Sequence, residues 1–284
     1  MKANKWTLAA ALLLATSCGQ QKEQSAPEAE QPEVTTGTIV LADSTSTLTW
    51  IQDNPGHKLM ERSLFPEASD SLIAALGLQD GIPASIGTFL LHCDGDWILF
   101  DTGLGADKGG LLLSGLRSLG LAPDSIDEIY LTHFHGDHIG GMLQGGRRVF
   151  PNARVFACSQ EYIAWMMEIP SDQSVQQHGV LDAYRDQTKL FGWGDTLTHG
   201  IVAIDAKGHT PGHTAFLKEN VLVVGDLMHG AALQLEHPEI SGNYDMDKAQ
   251  AAQTRVRILD LVRQNGYTMV GMHLPELSFI HLEQ

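Results

Sequence analysis

The chain of 284 residues reads as an α/β fold, and two observations lead to that reading. Short runs rich in Val, Ile, Leu and aromatic residues recur between turn residues, and helical stretches separate some of them. The strand runs are Leu48–Gln52, Thr88–Cys93, Trp97–Asp101, Glu128–Thr132, Arg154–Ala157, Ile201–Asp205, Ala215–Leu217, Val221–Gly225 and Tyr267–Met272. Helices are expected over Leu111–Leu119 and Asp247–Gln264. In the second, Ala252, Val256, Leu259 and Val262 recur at helical steps, with Asp247 as N-cap and Gly266 as the terminating glycine.

Several runs end on a polar residue. Asp101 follows Ile98-Leu99-Phe100, His133 follows Ile129-Tyr130-Leu131, Asp226 follows Val221–Val224, and His273 follows Met269–Met272. A rigid sheet that delivers His and Asp to the C-terminal ends of its strands assembles a site along one edge.

Residues 1–17 are expected to be a lipoprotein export signal: Lys2 and Lys5, then an apolar run from Trp6 to Ala15, then small residues ending at Cys18. The run is far shorter than the ~20 residues that span a bilayer. Residues 18–36 read as a lipidated Cys and a disordered acidic tether, rich in Gln, Glu and Pro, and residues 37–284 as one domain. The expected location is therefore the periplasmic or surface face of a bacterial membrane. Cys93 and Cys158 sit in apolar runs and read as buried free thiols.

The formal charge is −16, and −18 once residues 1–17 are removed. Such a polyanion is a poor partner for a phosphate backbone, so nucleic acid is not an expected ligand. The densest basic spots, Arg147-Arg148 and Arg255/Arg257/Arg263, are small.

The run His133-Phe134-His135-Gly136-Asp137-His138 places four metal-binding side chains within six residues. On a strand, positions 133, 135 and 137 share a face; on a turn into a helix, Asp137 and His138 swing to a second point. One run can then serve two ions about 3.5–4 Å apart. The mixed imidazole and carboxylate set suits Zn²⁺ first, with Mn²⁺, Fe²⁺ and Co²⁺ as alternatives. Further His follow in Gly208-His209-Thr210-Pro211-Gly212-His213-Thr214, in Gly225-Asp226-Leu227-Met228-His229 and in Gly271-Met272-His273-Leu274-Pro275.

These motifs, in this order and with Asp101-Thr102-Gly103 upstream, resemble the metallo-β-lactamase-fold hydrolase superfamily over roughly residues 45–280. The resemblance implies a four-layer αββα sandwich with the metal site at one edge of the two sheets. It implies that His133, His135 and His213 hold one divalent ion, that Asp137, His138 and His273 hold a second, and that Asp226 bridges them. It further implies a hydroxide between the ions as the nucleophile. Asp137 and Asp226 thus count as catalytic. His229, three residues after the bridge, reads as a third catalytic residue that donates a proton or, equally, as a packed helix-start residue. Asp101 is expected to hydrogen-bond a ligand His, and His209 either to orient a ligand or to stabilise its turn. His57, His92, His178, His199, His237 and His281 have no partner motif and read as solvated or core residues.

The segments 124–133, Gly140-Gly141, 148–153 and Ala231–Gln234 are similar to the subgroup that contains methyl parathion hydrolase and quorum-quenching lactonases. That similarity implies a small lactone or ester substrate, with phosphotriesters as further targets. It also sets Trp165 against the substrate pocket or, equally, in the core. A phosphodiesterase of the same fold and a non-catalytic metal-binding lipoprotein are the alternatives. One departure stands out: Pro275-Glu276-Leu277-Ser278-Phe279 replaces the subgroup's Pro-Phe-Pro-Gly-like turn and its following strand. A loosely held last-His loop is the expected consequence.

Overall fold

The computed structural model describes residues 33–277 and 279–283. The expected export signal and most of the tether lie outside the described residues.

The strands, in chain order, begin with β1 (Thr36–Val40), β2 (Thr47–Gln52), β3 (Lys58–Met60), β4 (Ile82–Ala84), β5 (Gly87–Cys93), β6 (Asp96–Phe100), β7 (Glu128–Tyr130), β8 (Leu143–Gln144) and β9 (Arg147–Arg148). They continue with β10 (Arg154–Cys158), β11 (Thr188–Phe191), β12 (Val202–Asp205), β13 (Thr214–Lys218), β14 (Val221–Val223), β15 (Thr268–Val270) and β16 (Phe279–His281). The helices are α1 (Asp70–Ala75), α2 (Leu112–Ser118), α3 (Gly136–Ile139), α4 (Ser159–Ile163), α5 (Val175–Ala183), α6 (Ala231–Gln234) and α7 (Lys248–Asn265).

One sheet has seven strands in the order β1-β2-β5-β6-β7-β10-β11, and the second has five in the order β12-β13-β14-β15-β16. Side-chain alternation shows how they stack. Phe89, Leu91, Ile98, Phe100, Tyr130 and Phe156 of the first sheet pack with Phe216, Val221, Val223 and Val270 of the second. The residues between them face outward. Leu90, Leu99, Ile129 and Val155 pack under Leu112 and Leu116 of α2 and Val180 and Leu181 of α5. Ala215, Leu222 and Met269 pack under Ile258, Leu259 and Val262 of α7. Both faces of each sheet are covered, so the strands read as nearly continuous apolar runs, and the layers are αββα.

Every predicted strand is present within about two residues at its ends, the scatter normal for boundaries. Short, weakly patterned elements had given no signal: β1, the antiparallel pair β3 and β4, β8, β9, β11 and β16. The first of these begins at Thr36, inside the stretch assigned to the tether.

Helix α7 is capped as expected, with Asp247 accepting Gln250 N–H and Gly266 left-handed at φ 64°. Its buried face differs from the expected stripe. It consists of Ala251, Thr254, Arg255, Ile258, Leu259 and Val262, while Val256 is exposed. Arg255 is therefore no part of a surface basic spot. Its fully buried guanidinium donates to the carbonyls of Leu227, Pro238 and Ile240 and to Asp245.

The last-His loop is well held, contrary to expectation. β16 returns antiparallel to β15, pairing Val270 with Phe279. The Ser85 hydroxyl donates to the Leu274 carbonyl at 2.5 Å. Cys93 and Cys158 are buried free thiols.

Removing one partner of a buried ion pair strands the other, at a cost of about 3–5 kcal/mol. Arg255→Ala should destabilise the protein by about that much in denaturant unfolding, whereas Val256→Ala, one residue away on the exposed face, should cost below about 0.5 kcal/mol.

Candidate metal centre

The C-terminal ends of β6, β7, β14 and β15 meet at one edge of the sandwich, with the turn that precedes β13 among them. The chain leaves β7 through an extended segment, and His135 takes the N-cap position of α3. This is the turn-into-helix geometry, so Asp137 and His138 lie on the first turn, away from His133.

Asp101 anchors the arrangement. It is fully buried with a left-handed backbone, φ 62°. Its Oδ1 accepts Thr132 N–H at 2.8 Å, and its Oδ2 accepts the Thr132 hydroxyl and His138 Nδ1–H, each at 2.7 Å. The Thr132 hydroxyl hydrogen is thereby committed, so its lone pair faces His133 Nδ1 at 3.0 Å. His133 therefore carries its proton on Nδ1. His213 donates Nδ1–H to the Ala206 carbonyl at 2.8 Å, and His273 donates to that of Ser85 at 3.0 Å.

In all four rings Nδ1 is thereby committed, and the Nε2 atoms gather about Asp226. His138 Nε2 lies 3.1 Å from Oδ1, while His273 Nε2 and His133 Nε2 lie 3.1 and 3.8 Å from Oδ2. His213 Nε2 receives the backbone N–H of Asp226 at 3.0 Å. Anchoring Nδ1 while presenting Nε2 is how metal-binding imidazoles are oriented. Gly225 makes the approach feasible: it is left-handed at φ 54°, and a Cβ there would fall 2.4 Å from His213 Nε2.

His273 Nε2 also lies 3.3 Å from Asp137 Oδ2. His135 and His209 share a contact of 2.9 Å between Nδ1 and Nε2, and His209 Nδ1 meets Asp245 Oδ1 at 3.0 Å. Asp245 in turn accepts from Arg255. His209 is thus central: its Nε2 lies 3.3 Å from Asp226 Oδ2, and it groups with His133, His135 and Asp226. His229 Nε2–H donates to Asp226 Oδ2 at 3.1 Å.

The donors fit cations. His133 Nε2, His138 Nε2 and Asp226 Oδ1 are buried and have no hydrogen-bond partner, which is costly unless a further group binds them. Two clusters, His133/His135/His209/Asp226 and Asp137/His138/His273, each bring their donor atoms within 4.8 Å of one another, and the expected ligand His213, whose Nε2 accepts Asp226 N–H, stands outside both. Charge points the same way. Burial alone would raise the Asp226 carboxyl, but His138, His273 and His133 hold it well below the usual carboxylate range. Burial pushes His133, His135, His209 and His213 down, which keeps them neutral, the form that binds metal, whereas against the same burial Asp226 and the carboxylates beside it hold His138 and His273 up, so a cation there would displace a proton. Beside these residues lies a cavity of about 480 Å³ lined by His135, Asp137, Asp226, His229 and His273, with Tyr244 at its rim.

Glu161, on α4, had escaped notice in the sequence. It is buried, and burial raises its carboxyl pKa. Oε1 accepts Phe134 N–H at 2.9 Å and Trp165 Nε1–H at 2.7 Å. Oε2 accepts the Thr210 hydroxyl and Gly212 N–H, each at 2.8 Å. One carboxylate therefore joins the loop carrying His133 and His135 to the loop carrying His209 and His213. Trp165 is buried beside His135, outside the cavity lining, and so takes the core role. Of the partnerless histidines, His92 stacks on Trp97, and His199 lies among Asp94, Asp96 and Glu128, outside the metal-binding groups around Asp226.

Glu161→Gln would turn an NH₂ toward two of its four donors. It should lower stability by about 2–4 kcal/mol and weaken metal affinity about tenfold or more, read by unfolding and by competition with a chelator. The exposed Glu168→Gln should change neither.

The profile of the Metallo-beta-lactamase superfamily matches residues 87–273. Among solved structures, the hydrolase AbOPH, described as in the beta lactamase superfamily, is 26% identical with a TM-score of 0.77, covering 88% of this chain and 93% of its own. AidC, a dizinc quorum-quenching lactonase solved with a product, shares the fold at a TM-score of 0.78 and 24% identity, covering 89% and 95%. Hydroxyacylglutathione hydrolase of Xanthomonas euvesicatoria pv. vesicatoria is 29% identical over 139 residues, 49% of this chain and 44% of the relative. The probable metallo-hydrolase MJ0296 of Methanocaldococcus jannaschii is 28% identical over 129 residues, 45% and 50%. The chain spans about half the length of these curated relatives. With a match that runs from β5 to His273 and takes in Asp101 and both histidine loops, the chain belongs to the metallo-β-lactamase superfamily.

Proposed function

We propose that this protein is a dinuclear metal-dependent hydrolase of lactone and ester bonds. The observation that carries the reading is the convergence of four Nδ1-anchored imidazoles on Asp226 at the floor of a cavity of about 480 Å³. His133, His135 and His213 would hold one ion, Asp137, His138 and His273 the other, and Asp226 would serve both. The imidazole–carboxylate set suits Zn²⁺ first. When bound, such ions supply Lewis acidity and acidify a water molecule.

The chain's own residues do the rest. Asp101 and Ser85 hold the rings of His138 and His273 in orientation. His209, backed by Asp245, steadies His135. His229 donates Nε2–H to Asp226, and its ring lines the cavity where a proton would be passed to a departing alcohol. Met60, Ile86 and Leu104 give the cavity an apolar wall that suits an acyl or alkyl chain. The lactonase named among the structural neighbours supports this substrate class.

The hydroxyacylglutathione hydrolases among the relatives support a second reading, thioester hydrolysis by the same groups. A panel of acyl-homoserine lactone, aryl ester, thioester, phosphotriester and β-lactam separates the two, with lactone or aryl ester expected to turn over fastest. About two ions per chain are expected by elemental analysis. Asp226→Asn should cut turnover about a hundredfold or more. Metal content far below two, or inertness toward the whole panel, would sink the proposal.

The same proposal places the protein on a bacterial membrane through lipidated Cys18, supported by the apolar run Trp6–Ala15 before it. Cys18→Ser should shift the protein from the membrane to the soluble fraction.

A further inference from the structure

Two lysines face the cavity. Lys58 comes from β3, and Lys108 from the loop that follows β6. Lys108 reaches far in: its Nζ lies 3.6 Å from the point where a Cβ on Gly136 would stand, between His135 and Asp137. It is steered there by Gln176, whose Oε1 accepts from Nζ at 3.3 Å. Lys58 stands with Met60 and Tyr244 where the cavity runs on into a neighbouring groove of about 390 Å³.

Neither ammonium has a carboxylate partner among the described residues. Several cations elsewhere are paired, Arg62 with Asp70, Arg148 with Asp186, Arg154 with Glu128, Lys207 with Asp205, and Arg255 with Asp245, whereas Lys248 and Arg257 bond neutral oxygens instead. A lysine kept from acidic neighbours at a cavity wall is free to bind an anion brought by a ligand. Met60, Ile86 and Leu104 line the same cavity and offer an apolar surface to the hydrocarbon part of a ligand.

We infer that the substrate is anionic: an ester or lactone whose non-reacting end carries a carboxylate, held by Lys58 and Lys108. This rests on the hydrolase reading of the same site. Charge complementarity at a cavity mouth raises encounter rates and selects among ligands. The contribution of each partly solvated ion pair is a few-fold, and salt weakens it.

The test compares 4-nitrophenyl butyrate with 4-nitrophenyl hemisuccinate, which are similar in length and differ by a carboxylate. The wild-type, metal-loaded protein should show the lower KM for the hemisuccinate by about tenfold. Lys58→Gln and Lys108→Gln should each raise that KM about three- to tenfold and the double variant more, with kcat and the butyrate KM within about twofold. Raising salt from about 0.05 to 0.5 M should erode the preference in the wild type only. Equal KM values, or variants that leave the ratio unchanged, overturn the inference while ester hydrolysis stands. If neither ester is turned over, the hydrolase reading fails instead, and calorimetric titration with glutarate decides the lysines. Binding that the double variant loses supports the anion site; no binding, or binding the variant keeps, overturns it.

Discussion

A buried carboxylate with no water around it must be surrounded by donors or cations, and this requirement organises the whole functional edge of the molecule. Leaving one unpaired would cost several kcal/mol, a large share of the stability of a single domain. Asp226 meets the requirement with imidazoles from four different segments. Asp101 meets it with Thr132 and His138, and Glu161 with donors from both histidine loops. Asp53 meets it with the N–H groups of Leu104 and Leu112. Each carboxylate is satisfied only when several loops sit correctly at once, so the electrostatic demand is also a positional one.

The sandwich makes that demand affordable. Its two sheets share a dry aromatic core, and each is backed by helices, so the strand ends cannot drift. The loops leaving those ends need only short anchors. Nδ1 of His133, His138, His213 and His273 is tied to the chain's own atoms, which turns the Nε2 atoms toward Asp226. Ties of this kind fix each ring in the orientation that a cation requires.

Much of this was legible in the sequence, and the reason is periodicity. Strands buried on both faces write themselves as unbroken apolar runs, and a His or Asp ending such a run marks an edge. Motif spacing made the histidine loops visible in the same way. What stayed hidden was whatever depends on contacts between distant segments. Glu161 lies on a helix with no motif and gains its role from Phe134 and Gly212, 27 and 51 residues away. Spacing left His209 equally an orienting or a turn-stabilising residue, and only Asp245 and His135 closing around it decide between them. The face of α7 was misread because Arg255, a charged residue, occupies its buried side, and hydropathy alone assigns such a residue to solvent. The hold on His273 was missed for a related reason: β16 is only three residues long, too short to leave a pattern.

The parts of the site divide by origin. The floor is built from strand ends and buried carboxylates, where a substitution propagates through several hydrogen bonds. The walls come from β3, from the loop after β6 and from the segment carrying Tyr244, and the side chains these present to the cavity, Lys58, Met60, Leu104, Lys108 and Tyr244, make none of the hydrogen bonds that anchor the histidines. Changes there alter shape and charge while leaving the floor intact. The floor therefore sets the class of bond that can be attacked, and the walls set which molecule is admitted, a division that lets one fold serve many substrates. The placement of Lys58 and Lys108 follows that logic: both line the cavity, and the hydrogen bond that steers Lys108 goes to Gln176 rather than to a histidine.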